Sequence, residues 1–76
     1  MTLKHFTAAL WAFNHRRPFK SYLIELVSGG RILVSHPETV FLRGELWEYI
    51  SPERGHHLFE NESVVQLLDV PKPPPS

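Results

Sequence analysis

The chain has 76 residues, of which 42% are hydrophobic and 21% charged, and its formal net charge is zero. This length gives one small domain, and the composition excludes a fibrous or intrinsically disordered chain. The absence of cysteine excludes disulfide bridges and thiolate metal ligands. The apolar run at 7–13 is too short for a membrane span and precedes the basic residues that would have to flank a signal peptide, so a cytoplasmic location is expected.

The first predicted element is an amphipathic helix of three to four turns. Apolar residues recur along it at intervals of three and four, at Leu3, Phe6, Leu10 and Phe13. Thr2 is a suitable N-cap, and Pro18 marks the far end. Trp11 lies off this apolar stripe, and it is predicted to widen the buried face, with a contact surface as the alternative.

Five β-strands are predicted after the helix from apolar and β-branched runs bounded by turn residues. They span, in chain order, residues 19–28, 31–42, 46–51, 56–60 and 64–70, with a one-turn helix as the alternative for the last. The proline-rich residues 71–76 are predicted to be a disordered tail. Residues 1–70 then make up the single domain.

Glycine and proline residues determine the predicted turns. Gly29 and Gly30 can take the positive φ angles that a tight hairpin needs. Pro37 cannot donate to a strand ladder, so the second strand must bend or bulge there before it resumes at residue 39. Residues 52–55 are predicted to form a further hairpin loop.

Most aromatic residues occupy positions that alternate along strands or recur along the helix. They are therefore predicted to lie in the core: Phe6, Phe13, Phe19, Tyr22, Phe41, Trp47 and Phe59.

Charge is distributed unevenly along the chain. Residues 1–43 contain six Lys and Arg against two Glu, whereas residues 44–76 contain two Lys and Arg against six Glu and Asp, giving +4 and −4. We expect the two halves to fold against each other and neutralise these charges locally. A head-to-tail contact between copies is the alternative.

The histidines do not predict a metal site. His5 and His15 are ten residues apart on the helix, instead of the four that place two ligands on one face. His56 and His57 are adjacent on a strand, so their side chains point to opposite faces. No metal and no cofactor is therefore expected.

No catalytic motif is recognisable in the sequence. Ser35, His36 and Glu38 are residue types used in nucleophilic catalysis, but at a strand end beside a proline they are interpreted as a polar exit from the strand. A glycine-flanked nucleophile, a phosphate-binding loop and a paired-acid motif are all missing. The protein is predicted not to be an enzyme.

A helix followed by five short strands, with a bend in the second, resembles the Sm-like barrels. Residues 16–32, RRPFKSYLIELVSGGRI, resemble the helix end, first strand and first turn of the bacterial RNA-chaperone family Hfq. On that register Arg16 and Arg17 fall on the arginine pair of the family's lateral rim, and residues 64–70 fall on its last, subunit-pairing strand. The resemblance implies a mainly β fold with an N-terminal helix, arranged as a strongly bent, five-stranded open barrel.

The chain also resembles a set of short, uncharacterised bacterial proteins with three brief motifs. In this sequence the motifs are Arg17-Pro18-Phe19, Ser28-Gly29 and His36-Pro37-Glu38. The two resemblances together span most of residues 16–70.

Two positions depart from the Hfq pattern. Glu60-Asn61-Glu62 stands where that family has a basic, histidine-containing tripeptide lining an RNA-binding pore. Acidic side chains there would repel phosphate. Val34 stands where Sm-like barrels tend to have a glycine that lets the second strand curve.

These observations predict a non-enzymatic scaffold that forms a homo-oligomer, expected to be a ring. The predicted interface residues lie on the fourth and fifth strands: Leu58, Val64, Val65, Leu67 and Leu68. Weak RNA contact is expected at the rim through Arg16, Arg17 and Lys20. The alternative is a protein-interaction module that does not bind nucleic acid.

Overall fold

The structure is a computed structural model that describes residues 1–51 and 55–71. In these residues one α-helix is followed by six β-strands. The elements are α1 Leu3–Asn14, β1 Tyr22–Leu26, β2 Arg31–Val34, β3 Val40–Arg43, β4 Leu46–Ser51, β5 Gly55–Phe59 and β6 Val64–Asp69. Short 3-10 helices at Pro37–Thr39 and Asn61–Ser63 precede β3 and β6. The predicted loop residues 52–54 and tail residues 72–76 lie outside the described residues.

Helix α1 begins and ends close to the predicted positions. The Thr2 hydroxyl oxygen accepts a hydrogen bond from the backbone N–H of His5 at 3.1 Å, which satisfies a free donor of the first turn. Phe6 and Leu10 are buried, and Phe13 packs against the core. Within the described residues no helix is long and apolar enough to cross a membrane.

The strands form two three-stranded antiparallel sheets. The first sheet has the order β2-β1-β6, and the second has the order β3-β4-β5. Both sheets stay open in the described part of the chain and do not close into a barrel. The prediction of a mainly β chain with an N-terminal helix is confirmed.

The predicted second strand is in fact two strands, so residues 1–51 and 55–71 form six strands where five were predicted. Its halves, β2 and β3, join different sheets, because the 3-10 helix at Pro37–Thr39 separates them. Pro37 has no N–H to donate. The Thr39 hydroxyl and N–H both donate to the His36 carbonyl oxygen, which closes this turn.

The remaining predicted strands are found with small shifts at their ends. The first is shorter than predicted, because its final residue, Leu26, already belongs to a turn with Gly29 and Gly30. Gly29 has a φ of +94°, as the predicted hairpin requires. Residues 64–69 form a strand, so the one-turn helix is excluded there.

One apolar core lies between the helix and the two sheets. The Phe6 ring meets Trp47 edge to face, with ring centroids 4.7 Å apart, and it also contacts Phe59. The buried apolar residues are Phe6, Leu10, Tyr22, Ile24, Ile32, Val34, Val40, Trp47, Tyr49, Phe59 and Val64.

The aromatic core was predicted with two errors. Phe41 is half-buried on the other face of β3, because Val40, its neighbour on the strand, takes the core position. Tyr49 was missed although it lies two residues after Trp47 and therefore on the same face of β4. Phe13 and Phe19 pack against the core without being fully buried.

Candidate functional site

Strands β5 and β6 each lie at an outer edge of a sheet. Among the described residues β5 pairs only with β4, and β6 pairs only with β1. Leu58 on β5 is 59% exposed and Val65 on β6 is 50% exposed. Each edge therefore combines unpaired backbone groups with an apolar side chain in solvent.

The five predicted interface residues do not have equal access to a partner. Val64 belongs to the core and is 1% exposed, so it cannot reach a second chain. Leu67 is half-buried and packs against the core, and Leu68 is half-buried on the opposite face of β6. Leu58 and Val65 are thus the two that remain available.

Strand β2 is the other edge of the first sheet, and one backbone acceptor is occupied on it as on β6, where the Met1 ammonium group donates to the Val64 carbonyl oxygen at 2.8 Å. The Tyr49 hydroxyl, from β4 of the other sheet, donates to the Leu33 carbonyl oxygen at 2.6 Å. This contact satisfies an acceptor on β2 that a further strand would otherwise use. Strands β2 and β3 also have only four residues each, which makes them poorer templates for another chain.

Arg16 is partly buried and is bound to other residues of the fold. Its guanidinium group donates to Asp69 at 2.5 Å and to the Lys20 carbonyl oxygen at 3.0 Å, and it lies 4.6 Å from the centre of the Phe13 ring. Arg16 therefore joins the end of α1 to β6 and to the loop before β1. Of the three predicted RNA contacts, it is the one with a structural role.

Arg17 and Lys20 are exposed beside it. Neither side chain makes an ion pair with any residue in the described ranges, 1–51 and 55–71. Two of the three cations predicted to contact RNA are therefore exposed and without an ion pair among the described residues, and the basic patch stays a prediction.

The charges of the two halves neutralise each other only in part. Among the described residues two ion pairs join the first half to the second, Arg16–Asp69 and Arg43–Glu48, whereas Arg31–Glu25 lies within the first half. Within the described ranges several side chains remain without an ion pair: Lys4, Arg17 and Lys20 on the basic side, and Glu38, Glu45, Glu60 and Glu62 on the acidic side.

The Glu60-Asn61-Glu62 segment borders an open pocket of about 810 Å³. Asn61 is buried, and its side-chain amide donates to the Met1 carbonyl oxygen at 2.9 Å. Glu60 and Glu62 are exposed, and Glu45 from the β3–β4 turn lines the same pocket. The acidic character predicted for this segment is therefore concentrated at the N-terminal end of α1.

A buried carboxylate that was not predicted from the sequence lies on the outer face of the second sheet. Glu48 on β4 is 4% exposed. His56 Nε2 lies 2.5 Å from one carboxylate oxygen, and Arg43 Nε lies 3.3 Å from the other. Strand alternation puts Glu48 on the face of β4 opposite to that of the core residue Trp47, and contacts with the neighbouring strands bury it there.

The prediction for Trp11 was wrong. Its side chain is 63% exposed and does not widen the buried face. Its indole stacks on the His15 ring, with ring centroids 4.2 Å apart and an angle of 18° between the planes. Trp11 and His15 thus form an exposed aromatic pair at the end of the helix.

The histidines are spread over the molecule. Among residues 1–51 and 55–71, no three His, Asp or Glu residues come together in a group that could hold a metal ion. His56 contacts Glu48, and the ring of His57 lies 6.2 Å from that of Tyr49 on the other face of the sheet. The absence of a metal cofactor stays a prediction.

No protein-family model matches the sequence, and no curated protein or solved structure matches it either. The geometry of the chain is therefore the basis for a functional proposal.

Proposed function

We propose that the chain is a non-enzymatic, Sm-like scaffold module that assembles with copies of itself into a ring. The observation that carries this proposal is the pair of open edges, β5 with exposed Leu58 and β6 with exposed Val65. A strand from another chain completes such an edge through main-chain hydrogen bonds and removes its apolar side chains from water. The 3-10 helix at Pro37–Thr39 divides the predicted second strand into two parts that belong to different sheets. This break supports the resemblance to Sm-like proteins.

The two edges favour a head-to-tail contact. Strands β5 and β6 lie in different sheets and differ in sequence, so pairing β5 of one copy with β6 of the next is a heterologous contact. Repetition of such a contact forms a closed ring when a whole number of copies completes a full turn. A domain of this size also gains from burying more surface, because its own core is small.

The basic patch adds a weak contact with RNA. Arg17 and Lys20 recur around the ring in each copy, whereas Glu60 and Glu62 keep phosphate away from the opposite end of the helix. With two or three phosphates engaged by each copy, the slope of log affinity against log salt is shallow, about −0.7 for each phosphate. Replacing Arg17 and Lys20 by alanine is expected to abolish this contact in a low-salt titration. No binding by the natural chain would favour a protein-interaction module instead.

The assembly is tested by blocking one edge at a time. Leu58→Lys places a charge on the β5 edge, and Val65→Lys places one on the β6 edge. Each variant alone is expected to be a monomer of 8.8 kDa by light scattering, whereas the natural chain forms a larger species. An equimolar mixture is expected to give a dimer, because the intact β6 of the first variant pairs with the intact β5 of the second.

Val27→Lys is the matched control. Val27 is 70% exposed in the β1–β2 turn and belongs to neither edge strand, so the same substitution there is expected to leave assembly unchanged. A natural chain that is monomeric at micromolar concentration overturns the proposal. If Leu58→Lys alone forms a dimer, the contact joins two β6 edges, and the head-to-tail arrangement is wrong.

A further inference from the structure

The exposed face of α1 carries an aromatic pair. Lys4, Ala8, Trp11 and His15 follow one another at intervals of four, three and four residues, so they lie on one side of the helix. The buried residues Phe6 and Leu10 lie outside this series. Trp11 is therefore a large aromatic residue on the exposed side of the helix, and it is 63% exposed.

The Trp11–His15 pair is held in place. His15 Nδ1 donates to the Trp11 carbonyl oxygen at 2.8 Å, and the His15 backbone N–H donates to the same oxygen at 3.0 Å. The two rings stack within 18° of parallel. Because the imidazole is fixed by both contacts, it supports one face of the indole before any ligand arrives.

Trp11 is 63% exposed even though the His15 ring stacks on its indole. The residues three and four positions before Trp11 are Ala8 and Thr7, and both have short side chains. The Thr7 hydroxyl is turned back to the Leu3 carbonyl oxygen, to which it donates at 2.7 Å. A flat ring can therefore approach the indole from the N-terminal side of the helix.

The charges around the pair attract an anion. No Asp or Glu occurs in the chain before Glu25. Arg17 and Lys20 follow the end of the helix at which Trp11 and His15 lie, and both are exposed. Asp69, the carboxylate that reaches this end, is bound to Arg16.

The same surface fits a protein groove poorly. A helix that docks into a groove presents several apolar side chains at spacings of three, four and seven residues. Here the neighbours of Trp11 on the exposed face are Lys4, Thr7 and Ala8, so one aromatic ring stands alone among small and basic residues.

We infer that Trp11, supported by His15, is a stacking platform for an unpaired base of a single-stranded polynucleotide, whose phosphates are bound by Arg17 and Lys20. Every base has a π face, and a protein that binds single strands combines such a ring with nearby cations. This inference rests on the RNA contact proposed above but not on ring assembly. It adds a base preference to that contact, because stacking favours adenine over uracil. Attraction between the cations and the phosphates does not distinguish the two bases.

The test compares two ten-nucleotide RNA probes, an oligoadenylate and the same backbone with abasic positions. Trp11→Ala is expected to weaken binding of oligoadenylate by roughly 5- to 150-fold, the equivalent of one lost base stack. It should leave binding of the abasic probe unchanged. Arg17→Ala should weaken binding of both probes, since it removes a phosphate contact. Val27→Ala, which removes another exposed apolar side chain, should change neither.

Tryptophan fluorescence reports the contact directly. Trp47 is 5% exposed in the core, so quenching by oligoadenylate is expected to come from Trp11 and to disappear in Trp11→Phe. If both probes bind and Trp11→Ala weakens neither, the RNA contact stands and the platform is refuted. If neither probe binds, the proposed RNA contact and the stacking platform are both refuted. Binding by the Leu58→Lys/Val65→Lys chain with the same dependence on Trp11 supports the platform even if the ring is absent.

Discussion

The two sheets have the same strand arrangement but differ in the surroundings of the carboxylate on their middle strand. In each sheet the middle strand carries a carboxylate that contacts side chains on both neighbouring strands. In the first sheet this residue is Glu25, which accepts hydrogen bonds from Arg31 on β2 and from Gln66 on β6. Its side chain is 21% exposed, so water reaches the carboxylate as well.

In the second sheet Glu48 occupies the corresponding place, between Arg43 on β3 and His56 on β5. Its side chain is only 6% exposed. One of its oxygens has no hydrogen bond, although Arg43 lies near it. In the first sheet, water can therefore help to stabilise the charge of Glu25. In the second sheet, the charge of Glu48 depends on the side chains that contact it.

Charge reversal is expected to separate the two sheets most clearly. Glu48→Lys puts a cation beside Arg43 in a site nearly closed to water, and the free energy of unfolding should fall by about 3 kcal/mol or more. Glu25→Lys leaves the new charge in contact with water, so its effect should be clearly smaller. Urea unfolding of both variants at one chain concentration measures the difference. Equal losses would show that the burial of Glu48 does not matter.

Glu48→Leu distinguishes the charge from the packing. An apolar side chain of similar size often replaces a buried ion without loss of stability. We expect Glu48→Leu to unfold at nearly the same urea concentration as the natural chain, because Arg43 and His56 are exposed enough to be hydrated. A loss as large as that of Glu48→Lys would mean that the ion pairs themselves hold the sheet.

Local sequence signals were sufficient for the helix and most strand ends. Thr2, the glycines of the first turn and Pro37 act through their own backbone, so their effects are visible without knowing the fold. The same signals did not show that the two sides of Pro37 belong to different sheets. That division depends on which strands β2 and β3 pair with.

The candidate site was harder to predict because its contacts are distant in sequence. Arg16 was expected to be free, but its partner Asp69 lies 53 residues away. Trp11 was expected to be buried because tryptophan usually is, yet its exposure follows from the helix face on which it lies. Strand alternation gives the face of Glu48 but not the side chains that cover it.

Two buried tyrosines extend the comparison between the sheets. Tyr22 on β1 donates to the Asn14 side-chain oxygen at 2.7 Å, and Tyr49 on β4 donates to the Leu33 carbonyl oxygen at 2.6 Å. Tyr49→Phe leaves a backbone acceptor unpaired between the sheets and should cost about 1–2 kcal/mol. Tyr22→Phe should cost less, because Asn14 is partly exposed and can turn to water. Thermal unfolding of the two variants side by side tests the order, and the reverse order would contradict it.

Alkaline pH should affect the first sheet through Tyr22. Burial raises its pKa to about 12 from 10.0, against the opposing effects of Arg16 and of the hydrogen bond with Asn14. The unfolded chain therefore loses the proton first, and the stabilisation is complete below pH 10 and is lost as the pH rises towards 12. Tyr22→Phe should reduce this alkaline loss in urea unfolding between pH 9 and 11. An unchanged slope would show that Tyr22 ionises as readily in the folded chain.

The turn glycines offer a smaller contrast between the sheets. Gly29 in the first hairpin has a φ of +94°, whereas Gly44 in the second has +67°, and a Cβ at either position would meet no atom within 4 Å. Only the backbone conformation then opposes a side chain. An L-residue reaches +67° more easily than +94°. Gly29→Ala is expected to cost about 1 kcal/mol and Gly44→Ala less, as measured by urea unfolding; equal costs would show that the turns adjust.

The smallest expected effect is the acid response of Glu25. Hydrogen bonds from Gln66 and Arg31 hold its pKa below the ordinary value of 4.5. The folded chain therefore releases this proton at lower pH than the unfolded chain. The resulting stabilisation is complete above about pH 4.5 and is lost as the pH falls through the folded pKa.

Glu25→Gln keeps the shape of the side chain and removes this titration. Stability curves of the natural chain and of Glu25→Gln between pH 3 and 6 should converge towards acid pH, because the advantage of the natural carboxylate disappears there. All other carboxylates are common to both chains, so the difference isolates Glu25. Parallel curves would mean that the charge of Glu25 adds nothing to the free energy of unfolding. The contrast between Glu25 and Glu48 would then lie in packing alone.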